Sequence, residues 1–256
     1  YYLALAQAAE GELGGSDQER WFRRLEREFA NLRAAAEWLV GHDLADALRL
    51  SAALRQFWPT RGYLHEGRGW LAAQLADPRI GEIPPLVRAR ALGTAGFLAF
   101  HQGDLDQAAE HSRAAEALCR AHADAQGSAD AMLTLGGVAY YRNDYAAAQT
   151  HYAEALARYR SCAARAGVAS ALKNLGLVAK DRGNYAEAIG YYAESLALRR
   201  ELGDRRGVAQ AQFNLAVVAY WQADYPRAFE LAQPSAATYR ELGDSMGLAY
   251  ALDTLG

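Results

Sequence analysis

The strongest constraint on this chain is an internal repeat. A short pattern recurs four times at a spacing of 40 residues: Gly103-Asp104-Leu105, Asn143-Asp144-Tyr145, Gly183-Asn184-Tyr185 and Ala223-Asp224-Tyr225. In the same register follow Ala108, Ala148, Ala188 and Ala228, then Ser112, Tyr152, Tyr192 and Ala232, then Ala115, Ala155, Ser195 and Ser235. Upstream, Leu135, Leu175, Leu215 and Leu255 each precede a small residue: Gly136, Gly176, Ala216 and Gly256. A fixed period of this length means one supersecondary unit per repeat, each burying its apolar face against its neighbours.

Within a unit, apolar and small residues fall at spacings of three and four, the signature of amphipathic helices. Leu172, Leu175, Val178 and Ala179 mark a first helix, and Ala188, Tyr192, Ser195 and Leu196 a second. The residue pair between them predicts a turn, with Asp104, Asp144, Asn184 and Asp224 as N-caps that accept from the free first-turn amides. Gly176 and Ala188 are expected to let two helix backbones approach, with Tyr185 and Tyr192 filling the space beside them. Helices of about 18 residues, about 27 Å long, fit the period.

The string Leu175-Gly176, Gly183-x-Tyr185-x-x-Ala188-x-x-x-Tyr192-x-x-Ser195-Leu196 resembles the tetratricopeptide repeat, over most of residues 86 to 256. The resemblance implies an all-α, right-handed α-α superhelix, a solenoid of about 40-residue helical hairpins. The chain departs from the family pattern in its period, 40 rather than 34, and in replacing the closing proline by a longer second helix, as in Leu196 to Asp204. The alternative is another family of helical repeats.

Upstream, Gly62-Tyr63-Leu64-x-x-Gly67-x-x-x-Leu71 reproduces the turn and second helix in degraded form. Its first helix is expected over 44–58, ended by Pro59 and Gly62, and Asp77-Pro78 through Pro84-Pro85 is read as a linker. Three segments follow: a helical lead-in over 1–42, a degenerate repeat and linker over 43–85, and regular repeats over 86–256, the last one cut short. The run from Trp21 to Trp38, with Phe57-Trp58, Arg61-Gly62 and Glu66-Gly67-Arg68-x-Trp70-Leu71, is similar to the segment that joins a nucleotide-binding core to a helical repeat sensor in STAND-type ATPases. That group includes large bacterial transcriptional regulators of the LuxR and antibiotic-regulatory kinds. The resemblance implies that the chain is a fragment whose enzymatic parts lie elsewhere in the parent protein. Tyr250 to Gly256 aligns with Ser170 to Gly176, so the sequence stops midway through a first helix.

The chemistry-bearing motifs of enzymes are missing from the sequence. Neither lysine, Lys173 or Lys180, follows a glycine-rich phosphate loop, and no His-Glu-x-x-His pair or Gly-x-Ser-x-Gly elbow occurs. His111 and His151 share one repeat position, which favours packing over metal binding. Cys119 and Cys162 provide no disulfide framework and no context that would activate a thiol. A third reading, a helical enzyme, would need a cluster of perturbed carboxylates or histidines. With net charge near −3, no broad basic face is available for nucleic acid, so Tyr140-Tyr141, Tyr191-Tyr192 and Tyr220-Trp221 are read as packing pairs rather than stacking platforms. No apolar run is long enough to cross a bilayer. These features together point to a cytoplasmic, non-catalytic protein with no cofactor and no metal.

In a tetratricopeptide-like stack the first helix of each pair lines the concave surface. The register assigns to that surface Arg90, Thr94, Phe97 and His101; Asp130, Thr134 and Tyr141; Lys173, Asn174 and Asp181; Gln210, Asn214 and Trp221; and Tyr250. Asn174 and Asn214 are the leading candidates, because similar repeats use an Asn amide there to hold a peptide backbone, and an amide both donates and accepts. The alternative is that they bond only to nearby helix ends or water. The partner is expected to be a protein, a peptide such as a segment of the parent chain, or a small inducer. Self-association through the cut end is a further expectation, and Pro234, inside the last second helix, predicts a kink or a local break. The functional reading is the sensor region of a multidomain signalling or transcriptional regulator, against a free-standing adaptor or assembly scaffold.

Overall fold

The computed structural model describes residues 1–253, and every element in that range is helical. Leu255 and Gly256 of the repeat register lie outside the described residues. The chain divides into two compact units, Tyr1–Cys162 and Ala163–Gly256. In the first are α1 (Tyr2–Glu12), α2 (Gln18–Arg27), α3 (Phe29–His42), α4 (Leu44–Ala53), α5 (Phe57–Thr60), α6 (Leu64–Leu75), α7 (Pro85–His101), α8 (Leu105–Ala121), α9 (Ala125–Tyr141) and α10 (Tyr145–Ser161). In the second are α11 (Arg165–Asp181), α12 (Tyr185–Glu201), α13 (Arg205–Trp221), α14 (Tyr225–Glu241) and α15 (Ser245–Asp253). From α7 to α14 every helix has 17 residues, about 25 Å of length, and successive helices are stacked as hairpins.

What stops and restarts the chain every 20 residues is a left-handed residue after each helix: Gly103, Ala123, Asn143, Ala163, Gly183, Gly203, Ala223 and Gly243 all have positive φ. That conformation turns the amide of the following residue back onto the helix just ended. Asp104 N thus donates to Ala99 O, and Asp224 N to Ala219 O, each at 3.0 Å. The side chain of that same residue then caps the next helix. Asp104 accepts from Gln107 N, Asp144 from Ala147 N and Asp224 from Arg227 N, as the sequence predicts. Asn184 makes no such bond. Asp124, Asp204 and Asp244 serve the turns between repeats in the same way.

The rows of small residues are buried. Ala108, Ala148, Ala188 and Ala228 are at most 2% exposed, and Tyr152 and Tyr192 are equally enclosed. The expected role of Gly176 needs correction. A Cβ added there would lie 2.5 Å from Tyr192 Cε1, and one added at Gly136 would lie 2.5 Å from Tyr152 Cε1, so these glycines make room for a ring, not for a helix backbone. At Gly96, where the facing residue is Ser112, the backbones themselves approach: a Cβ would be 3.1 Å from Ala108 O. Ser195 and Ser235, in one register, donate to Ala169 O and Ala209 O at 2.8 Å, which satisfies buried hydroxyls within a repeat.

The amino-terminal helices share one core with α7, built on Leu5, Phe22, Leu25, Phe29, Leu32, Leu48, Phe57, Trp58, Leu71 and Leu98. The helix expected over 44–58 is shorter: α4 ends at Ala53, and Pro59 lies within the separate α5 instead of ending a long helix. The reason is Trp58. Its indole is fully buried against Gly67, and its Nε1 donates 3.1 Å back to Ser51 O, an acceptor at the end of α4. The expected linker holds a 3-10 turn, Pro78–Glu82, pinned by Asp77 and Arg79, and Arg79 also donates to Val40 O at 2.6 Å. Pro234 does not break α14. It lies on the exposed side of a helix that continues to Glu241, where water can take up the Glu230 carbonyl that proline leaves without a donor.

The ring-and-glycine pairing makes a direct forecast. Gly176→Ala should destabilise the fold by about 1–3 kcal/mol, because the Tyr192 ring is held on all sides. Gly190→Ala, in the same pair of helices but with open space around it, should be neutral or stabilise by up to about 1 kcal/mol. Urea unfolding of the two variants measures both.

Candidate functional site

Within each unit the first helices touch one another, α7 with α9 and α11 with α13, and the surface they share carries the residues that the register assigns to the groove. In the first unit, much of that face is already occupied by the protein itself. Arg55, in the turn after α4, lays its guanidinium over the Phe97 ring at 4.3 Å and reaches Asp130 at 3.4 Å. Asp130 also accepts from the Tyr159 hydroxyl at 2.5 Å, and burial together with that carboxylate pushes the phenol well above its usual range. Arg90 pairs with Glu10 of α1. Thr94 and Thr134 are 2% and 5% exposed, so neither hydroxyl is presented to a ligand, and Thr134 donates back to Asp130 O. Of the first-unit residues placed on the groove by register, Arg90, His101 and Tyr141 are exposed, Tyr141 at 66% and edge-on to Phe100 at 5.4 Å.

Arg55 was not a sequence candidate, because it lies in a degenerate segment where the register assigns no inward position. The surrounding motif residues are joints of the same kind. Arg61 pairs with Glu19 at 2.9 Å, Glu66 with Arg33 at 2.7 Å, and Arg68 with Asp104 at 2.9 Å. The Asp104 carboxyl is thereby held below its usual range by the Arg68 guanidinium and the Gln107 amide. The residues that resemble a domain-joining segment therefore clasp α2 to the turn after α5, α3 to α6, and α6 to the first regular repeat.

In the second unit the face is open. Asn174 on α11 and Asn214 on α13 are half-buried, Gln210 is exposed, and none of the three amides bonds to another side chain among the described residues. Trp221 and Tyr250 are 63% and 59% exposed. Asp181 is taken by Lys180 at 2.6 Å. Lys173 is half-buried, and its amine is drawn down to about 8 by burial and by the positive charges of Arg199 and Arg206. Those two arginines are engaged with Asp204 and Asp244.

The remaining features are structural. Tyr152, Tyr159, Tyr192 and Tyr239 are buried, and burial raises each phenol. Among the described residues no cluster of histidine, cysteine or carboxylate is arranged to hold a metal, and no helix is long and apolar enough to cross a membrane. A depression of about 640 Å³ between α1, α3 and α4, lined by Tyr2, Ala35 and Trp38, was not found from the sequence. Two of its polar groups are engaged within the fold: Asn31 donates to Glu28 at 2.8 Å and Asp46 holds Arg49 at 2.6 Å.

A family model described as Tetratricopeptide repeat matches residues 87–161 and 167–241, more than half of the chain, and the chain belongs to that family. The fold is typically a non-catalytic scaffold for protein interaction. No curated protein matches the sequence significantly. Among solved structures, NprR in complex with its cognate peptide NprX is 14% identical with a TM-score of 0.72, over 98% of this chain and 70% of that one. The STAND protein PH0952 of Pyrococcus horikoshii, which has a tetratricopeptide repeat sensor, is 15% identical with a TM-score of 0.69, over 99% of this chain and 39% of that one. BtubC of P. vanneervenii is 19% identical with a TM-score of 0.67, over 86% of this chain and 92% of that one. At these identities the likeness is one of fold.

The thiols differ in a way that alkylation can read. Cys119 is buried, and burial and the neighbouring Asp124 push its thiol up to about 12; Cys162 is exposed. Iodoacetamide at pH 8 should label Cys162 and spare Cys119 in the folded protein, with both reacting in denaturant; mass spectrometry counts the adducts.

Proposed function

We propose that this chain is the ligand-binding sensor region of a multidomain signalling or transcriptional regulator, non-catalytic in itself, and that its ligand is an extended peptide or protein segment held by the second unit. The observation that carries this reading is the set of amides at Asn174, Gln210 and Asn214, unsatisfied by any side chain on an inward face. Groups of this kind match a peptide backbone, which offers donors and acceptors alternately. Two features support it: the family is typically one of interaction scaffolds, and two of the similar folds belong to a peptide complex and to a STAND sensor.

Within that reading, residues 1–42 would be the passage from an ATPase core and 43–85 a degenerate repeat that joins it to the sensor, in the cytoplasm. Occupancy would act by population shift, a ligand that prefers one arrangement of the helices biasing the regulator toward it. A free-standing adaptor is the second reading, favoured by BtubC, of whose length the chain spans 92%.

Peptides selected on this chain from a random library test the binding face. Asn174→Ala and Asn214→Ala should each weaken a selected peptide by about 1 kcal/mol, fivefold in affinity, with unfolding midpoints unchanged. Isothermal titration gives the affinity. Unaltered binding in both variants would place the ligand elsewhere.

A further inference from the structure

The depression between α1, α3 and α4 has the size of a small-molecule site, about 640 Å³, and lies outside the regular repeats. Its base is firm: Leu5 and Ala9 of α1, Leu32 of α3 and Leu48 of α4 are buried in one core. Its rim is aromatic. Tyr1 and Trp38 line it with 79% and 59% of their surface exposed, and Tyr2 stands edge-on to Tyr1 at 4.9 Å. His42 lies parallel to the Trp38 indole at 4.0 Å, and its Nδ1 donates back to Trp38 O at 2.7 Å. The imidazole thus takes one face of the indole and fixes the ring, which leaves the opposite face for a ligand.

The charges around the depression specify the sign of that ligand. Among the described residues no lysine or arginine lines it, in a chain with 27 basic residues, and its one charged side chain is that of Asp46. Asp46 Oδ1 accepts from Arg49 at 2.6 Å, while Oδ2 has no partner among the described residues. The Asp46 amide donates to Asp43 Oδ1 at 3.0 Å, which sets a second carboxylate beside the first. Two carboxylates against one guanidinium leave one negative charge. The π faces of indole and phenol rings also attract cations. Gln7 of α1, exposed and without a bond to another side chain among the described residues, adds an amide oxygen on the facing wall. We propose that this depression binds a small organic cation, its flat apolar body on the free face of Trp38 and its ammonium directed at Asp46. An anion would meet Asp46 with no cation to offset it, and a neutral ligand would leave the carboxylate unused. Because α1 supplies Tyr2 and Gln7, α3 supplies Trp38 and α4 supplies Asp46, an occupant ties three helices together and stabilises the folded chain by mass action. The site does not depend on the peptide-binding reading of the second unit.

Three probes of similar size and different charge test the sign: 2-phenylethylammonium, 2-phenylethanol and phenylacetate. The Tyr1 amine is acetylated, so that the backbone adds no charge of its own. Protein labelled with ¹⁵N at tryptophan gives five indole signals, and Trp38→Phe and Trp221→Phe assign two of them. Trp221, 63% exposed in the other unit, is the control for unspecific stacking. At about 5 mM, a range suited to weak fragments, the ammonium should shift the Trp38 signal and leave Trp221 in place. It should bind about tenfold tighter than the alcohol or the acid, and raise the unfolding midpoint as it binds. Asp46→Asn should weaken the ammonium about fivefold and leave the alcohol unchanged. Gln7→Glu, at an exposed position where folding is not at stake, should tighten the ammonium about threefold.

Equal responses to the three probes, a preference for the acid, a Trp221 shift as large as that of Trp38, or silence with all three would overturn the site. An ammonium affinity that neither falls with Asp46→Asn nor rises with Gln7→Glu would overturn it as well. Peptides selected on the second unit leave this outcome untouched, because neither Trp38 nor Asp46 belongs to that face.

Discussion

The packing of a small residue on one helix against a ring or a second small residue on its partner is the contact on which the rest of this structure depends. Gly176 under Tyr192 and Gly136 under Tyr152 show the exchange plainly: a buried aromatic provides apolar area, and the missing Cβ opposite provides the space. Where the ring is absent, at Ser112, the helices close up until backbone nearly meets Gly96. At Ala216 and Ala232 two alanines share the volume, both fully buried. One member of each facing pair is thus always small while its partner changes and the helices adjust to it, which is why the register survives in a sequence whose repeats are otherwise dissimilar.

That constraint occupies one side of each first helix and frees the other. What becomes of the free side differs between the units for an electrostatic reason. In the first unit, Arg55 enters from the amino-terminal helices, stacks on Phe97 and reaches Asp130, so an inward face that could have met a ligand is satisfied from within. Buried charge networks of this kind favour one arrangement over others even where their net contribution to stability is small. Among the described residues of the second unit no such side chain arrives, and the amides of Asn174, Gln210 and Asn214 remain available. The functional reading therefore rests on this open face, not on the whole row of first helices.

The amino-terminal segment has a related logic. Its arginines, Arg33, Arg61 and Arg68, each reach a carboxylate on another helix, and Trp58 folds back over α4 to use Ser51 O. This segment lacks the small-residue register, and these directed contacts take its place. They also hold Phe22, Leu25, Phe29 and Leu32 in the same core as α7, so the lead-in helices and the first regular repeat pack around one apolar centre.

Period, helix pairing, cap positions at Asp104, Asp144 and Asp224, and the buried rows of alanine were all legible in the sequence, because each follows from local spacing that every repeat restates. The cap at Asn184, the end of α4 and the passage of α14 through Pro234 were not, since each depends on what lies across from the residue rather than beside it. The same division runs through the candidate site. Register alone assigned Thr94, Phe97, Asp130 and Thr134 to an open surface, and only the tertiary structure buried the two threonines and brought Arg55 against Phe97 and Asp130, because a contact between residues some 40 to 75 positions apart leaves no periodic trace. Lys173 shows the converse. The sequence marks it as a cation where Gly93, Leu133, Phe213 and Asp253 hold the equivalent positions, but that it is half-buried among the like charges of Arg199 and Arg206, with no carboxylate in ion-pairing reach among the described residues, was decided by the packing of α11 with α12 and α13.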